Sequence, residues 1–184
     1  MSVYRANGSW VADEMMGYTY LTEFQRARFD EWFTTASDDD RAECVVCWNW
    51  GLGGGVETLQ SIVERPDCDV TTALTIFWSS EAVSHLAKYP NEEEAIAAGQ
   101  GDMYKLHASI IRRYKKNGYA HSGLELDPSQ LGASLSEVES LAQHGDLAAA
   151  PAMALPITGR PRVCTTQFEM YGVPLFIDRL ESSK

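Results

Sequence analysis

Long apolar runs are missing from this 184-residue chain. No stretch approaches the ~18 consecutive apolar residues that read as a membrane-spanning helix. The opening Met1-Ser2-Val3-Tyr4-Arg5 also lacks the basic-then-apolar order of a secretory signal, so a cytoplasmic address is expected. Cysteine is scarce. Cys44, Cys47, Cys68 and Cys164 are too few to staple a chain of this length, which predicts buried thiols rather than a disulfide framework. Positive charge is short as well: 15 basic against 26 acidic side chains leave a formal charge of −11. Such a surface repels phosphate, which disfavours nucleic acid and anionic membrane, and it hastens encounter with a basic protein. Solubility alone is also a sufficient reason for the charge. No internal repeat is present.

What remains is ordinary for a globular protein, with 45% apolar and 22% charged residues. A chain this long can bury roughly 70% of the surface its unfolded form exposes, so it needs no metal or disulfide to hold a core. Residues 1–22 have no clean period and read as an N-terminal arm. From Glu23 a helical stripe runs through Phe24, Ala27, Phe29, Trp32 and Phe33. Ser37 caps a second helix whose first turn holds Asp38, Asp39 and Asp40, where the helix dipole favours negative charge. A third helix, 56–65, stops at Pro66, and Asp69 caps a fourth carrying Ala73, Leu74, Ile76, Phe77 and Trp78. Asn91 with Glu94 starts a short segment. Asp102 opens the clearest helix, with Met103, Leu106, Ile110, Ile111 and Tyr114 in phase and Gly118 as its stop. Beyond it lie a connector, a short helix capped by Ser134 or Ser136, a proline-rich loop and a short hairpin expected around Gly172-Val173-Pro174. The fold class is thus mainly α: an irregular multi-helix bundle, with a helical core over 23–120 and a loop-rich extension over 121–184 packed on it as one domain.

No motif assembles a catalytic centre. Cys44-Val45-Val46-Cys47 sits inside a helix and lacks two clustered partners, so buried helix thiols are favoured over zinc or redox chemistry. Cys68 precedes a helix N-terminus but lies between Asp67 and Asp69, whose charge opposes a thiolate. Gly51 to Gly55 lacks the Gly-Lys-Ser/Thr ending of a phosphate loop and reads as a helix–helix turn or a contact loop. His85, His107, His121 and His144 share no metal or hydrolase spacing, and His107 falls on an apolar stripe as a core histidine would. Lys105, Arg112, Arg113, Lys115 and Lys116 read as a solvated face near a helix C-terminus. The acidic triplets 38–40 and 92–94 are explained by the dipole. Trp48 and Trp78 are assigned to the core, and Trp50 equally to core or surface.

Trp48-Asn49-Trp50, followed by Cys68-Asp69-Val70-Thr71-Thr72-Ala73-Leu74-Thr75-Ile76-Phe77-Trp78, resembles the core of a bacterial family known as a domain of unknown function. The resemblance spans roughly 23–120 and departs at the glycine run, where the family usually places acidic residues. It implies no catalytic residues. It does imply a stand-alone protein, with a link to toxin–immunity loci.

The functional expectation is a soluble protein-binding domain, in the manner of an immunity protein that neutralises a basic toxin, with no cofactor or metal. Candidate contact residues are Trp50, Leu52, Asp38, Asp39, Glu57 and Glu93. Two other readings stay open. A small hydrolase or transferase would show a pocket joining His121 or His85 to a perturbed carboxylate, and a structural or regulatory homodimer would show a large apolar patch.

Overall fold

The computed structural model describes residues 23–48, 55–141 and 147–166. Eight α-helices follow one another among them. They are α1 (Glu23–Thr35), α2 (Asp38–Val46), α3 (Val56–Glu64), α4 (Val70–Ser79), α5 (Ala82–Lys88), α6 (Glu92–Ala97), α7 (Gly101–Lys115) and α8 (Leu135–Ser140). Single 3-10 turns occur at Pro128–Leu131 and Pro151–Ala154. The chain is mainly helical, as its periodicity predicts. The 1–22 arm and the hairpin around Gly172 lie outside the described residues.

Helix α4 is the axis of the bundle. Every residue from Val70 to Trp78 is buried, and α2, α3, α5 and α7 all pack against it. A stretch of helix that carries only apolar side chains and threonines, with no charge on any face, can sit inside. It starts because the Asp69 carboxylate accepts the Thr71 amide at 2.7 Å, and it ends where the Ser80 hydroxyl donates to the Ile76 carbonyl at 2.7 Å. Glu81 then takes a left-handed φ of 53°, which breaks the axis and lets α5 set off separately. The sequence reading missed α5, because neither glycine nor proline marks that break.

The long helix α7 buries Leu106, His107, Ala108, Ile110 and Ile111. Its stop involves two residues. Asn117 takes the left-handed turn (φ 50°), and the Gly118 amide reaches back to the Arg113 carbonyl at 3.0 Å while that of Asn117 reaches Tyr114 at 2.9 Å. At the start of α3, Gly55 has a φ of +94°, and a Cβ there would lie 2.5 Å from the Trp48 ring. This glycine therefore serves both the backbone turn and the close approach of the indole.

After α7 the backbone is extended and is paired by isolated bridges. Ala120 pairs with the Cys68–Val70 backbone at the start of α4, through bonds of 2.9 Å each way. Residues 124–126 pair with 157–160, so the segment leading to Thr166 returns across α2 and α4. Gly159 is required there, since a Cβ would strike the Gly123 carbonyl and the Leu124 backbone.

Candidate functional site

The N-terminus of α2 is where the returning segment docks. Ser37 caps the helix, its hydroxyl accepting the Asp40 amide at 3.1 Å and donating to the Asp40 carboxylate at 3.0 Å. Asp39 takes both arms of the Arg160 guanidinium, at 2.7 and 2.6 Å, and the Val163 amide at 2.5 Å. Asp40 accepts the amides of Thr165 and Thr166 at 2.8 and 2.9 Å, the Thr165 hydroxyl at 3.0 Å and the Cys164 thiol at 3.2 Å. The Arg160 guanidinium holds the Asp39 carboxyl down to about 2, against a smaller opposing push from burial. For Asp40 desolvation is the largest influence and raises the carboxyl. The Thr166 and Thr165 amides, with the thiol and hydroxyl, outweigh it and leave the group well below the usual range. Dipole complementarity alone does not account for the triplet. Two of its three carboxylates are internal anchors, and Asp39 is buried rather than offered to a partner.

Beside this clasp lies a cleft of about 800 Å³, between α2, α4, the Glu125–Leu131 stretch and residues 156–164. Its described lining includes Glu43, Glu125 and Asp127 and one cation, Arg162, whose Nε lies 3.9 Å from Glu43. Val46, Leu126, Leu131 and Ile157 supply apolar wall. Thr75 of α4 lines it too; the residue is 1% exposed, and its hydroxyl has no hydrogen-bond partner among the described residues.

Elsewhere the polar groups are structural. The Ser80 hydroxyl, already donating to carbonyls of α4, faces His107 Nε2 at 2.9 Å, so the imidazole donates and Ser80 accepts. That is the reverse of nucleophile activation. Burial, with the nearby His85 second, lowers His107 to about 3 and keeps it neutral. The two rings lie 4.9 Å apart. Neither nitrogen of His85 reaches a partner in hydrogen-bonding geometry, although the Gln100 side chain is near enough to oppose the lowering caused by burial. His121 lines a separate cavity of about 140 Å³ with Tyr114, Asn117 and Tyr119, and no carboxylate is among its lining residues.

The thiols are held protonated. Burial pushes Cys44 well up and Cys47 up, and it takes Cys68 to about 12. Among the described residues no set of three His, Cys, Asp or Glu side chains could hold a metal ion. Arg113 departs from the solvated face assigned to its cluster. Its guanidinium donates to the carbonyls of Val63, Arg65, Pro66 and Gly118 at 2.7–3.1 Å and lies 4.4 Å from the Tyr119 ring centroid.

The described residues among those singled out from sequence are spread over three helices. Asp38 is half-buried, 3.8 Å from Arg41. Glu57 and Glu93 are exposed on the first turns of different helices, α3 and α6. Trp50 and Leu52 lie outside the described residues. The cleft residues Thr75, Glu125, Asp127 and Arg162 and the anchor Arg160 escaped sequence reasoning. One signal was available: Arg160-Pro161-Arg162 is a basic knot in the loop of an acidic chain.

Residues 36–115, from just before α2 to the end of α7, match a family model described as "Domain of unknown function (DUF4274)". The chain is thus similar, over its central helices, to an uncharacterised family, and the Trp48–Trp78 region that carried the resemblance falls inside the matched span. No curated protein and no solved structure matches the chain. Among the described residues, no helix is long and apolar enough to cross a membrane.

Proposed function

We propose that this chain is a cytoplasmic protein-binding domain that engages a basic partner, in the manner of an immunity protein neutralising a toxin. One observation carries the reading: four arginines are engaged by groups of the chain itself, while several glutamates stand exposed. Arg41, Arg65, Arg113 and Arg160 bond carbonyls and carboxylates of the chain itself. Glu57, Glu92, Glu93 and Glu125 are exposed. These exposed carboxylates belong to a chain of formal charge −11, and complementary charge speeds and orients docking of a cationic protein.

Co-purification from the native host, with the whole chain as bait, tests this. A stoichiometric partner of high pI, released as salt is raised, is the expected result, with weaker retention by Glu93→Lys and Glu57→Lys baits. Recovery of the bait alone at native concentration overturns the reading.

A further inference from the structure

We propose that the cleft between α2 and residues 156–164 seats a lysine or arginine side chain presented by an extended segment of the partner. This deepens the protein-binding reading and rests on it. The cleft, at about 800 Å³, has the size of pockets that enclose a ligand rather than of a surface wrinkle. Among the described lining residues its charge is one-sided: three carboxylates, Glu43, Glu125 and Asp127, stand against one guanidinium. Arg162 is matched by Glu43 at 3.9 Å. Asp127 Oδ1 is engaged by the amide and hydroxyl of Ser129, at 3.0 and 2.6 Å. Glu125 is exposed and makes no ion pair among the described residues.

The second observation is independent of charge. The Thr75 hydroxyl is buried and has no partner among the described residues, although a helical threonine ordinarily satisfies itself on the carbonyl one turn back. A buried polar atom without a partner beside a cleft is what a donor or acceptor reaching the cleft wall would complete. The remaining wall is apolar, through Val46, Leu131 and Ile157. A lining that combines apolar side chains with carboxylates fits a long methylene stem that ends in a cation, which is the build of lysine and arginine. An anionic ligand would meet all three carboxylates, and a purely apolar one would leave Glu125 without a counter-charge.

Calorimetric titration of the full chain with a blocked Ala-Arg-Ala-Arg-Ala peptide tests the assignment. The controls are the same peptide with citrulline, which keeps the shape and removes the charge, and free agmatine. The arginine peptide is expected to bind at least tenfold more tightly than the citrulline peptide. Glu125→Gln and Thr75→Val, both checked for an unchanged helical circular-dichroism spectrum, are each expected to weaken it at least fivefold. Equal affinity for the citrulline peptide, or undiminished binding by Glu125→Gln, overturns the proposal. Agmatine binding as tightly as the peptide also overturns it, by showing a site for free amines. If a basic partner co-purifies equally with wild-type and Glu125→Gln baits, the cleft assignment fails and the protein-binding reading stands. Recovery of the wild-type bait alone removes that reading itself.

Discussion

Along α4 every residue from Val70 to Trp78 is buried, whereas from Pro156 to Thr166 only Ile157 and Thr166 are even half covered. The two stretches touch through the same bundle, yet they are held differently. Area removed from water holds α4, at roughly 25 cal/mol per Å² of apolar surface, with no preferred direction. Directed bonds to Asp39 and Asp40 hold the returning segment. Burial of apolar surface tolerates changes of charge and salt. A polar clasp answers to both, so the wall of the cleft is the more adjustable part of the molecule.

Removing the ring of Phe77, which is 0% exposed, strikes the first stretch hardest. Phe77→Ala is expected to cost about 3–5 kcal/mol, read as a lower urea midpoint for the whole chain. A loss below about 1 kcal/mol would mean that α4 is not the axis described here.

Acid separates the stretches in order. His107 is neutral when folded, with its pKa lowered from 6.5 to about 3, so its contribution is complete above pH 6.5 and is lost as pH falls toward 3. The carboxylates of Asp39 and Asp40 are lowered from 3.8, so theirs is complete above about pH 4 and is lost below it, toward pH 2 for Asp39. Urea midpoints are expected to decline first, between pH 6.5 and 4, while protease cleavage within 160–166 stays constant until the pH drops below 4. Asp40→Asn should admit that cleavage at pH 7. Early release of the segment, with an unchanged midpoint, would reverse the comparison.

Gly55→Ala forces a side chain into a left-handed turn against the Trp48 ring and is expected to cost about 1–3 kcal/mol in a thermal melt. An unchanged melt would remove the indole contact as a reason for that glycine. The smallest effect is expected from Ser134→Ala. It removes the cap that accepts the Glu137 amide at 3.2 Å, costs about 1 kcal/mol and should show as faster hydrogen exchange confined to α8.

How far each stretch was legible follows from the range of its causes. The caps Ser37, Asp69, Asn91 and Ser134 act on amides two or three residues ahead, and all four stand where the residue pattern puts them. The apolar stripes of α3 and α7 are equally local. Asp39 and Asp40 misled because a nearby cause, the helix dipole, already accounts for acids at that position. Their actual partners lie more than a hundred positions away, and no short window of sequence holds both ends. Arg113 misled in the same way, since a cation in a last turn has a sufficient local explanation while its acceptors lie about fifty residues earlier. The cleft was invisible for that reason: its walls come from α2, α4 and two extended segments brought together only by folding.

The indole N–H of Trp78 donates to the Met153 carbonyl at 2.9 Å, and that carbonyl lies outside the 36–115 span shared with the family. A chain trimmed to that span would keep the tryptophan and discard its acceptor, together with every acceptor or donor that residues 119–166 supply to Asp39, Asp40 and Asp69. The span that matches the family model is therefore smaller than the unit within which this protein satisfies its own buried polar atoms.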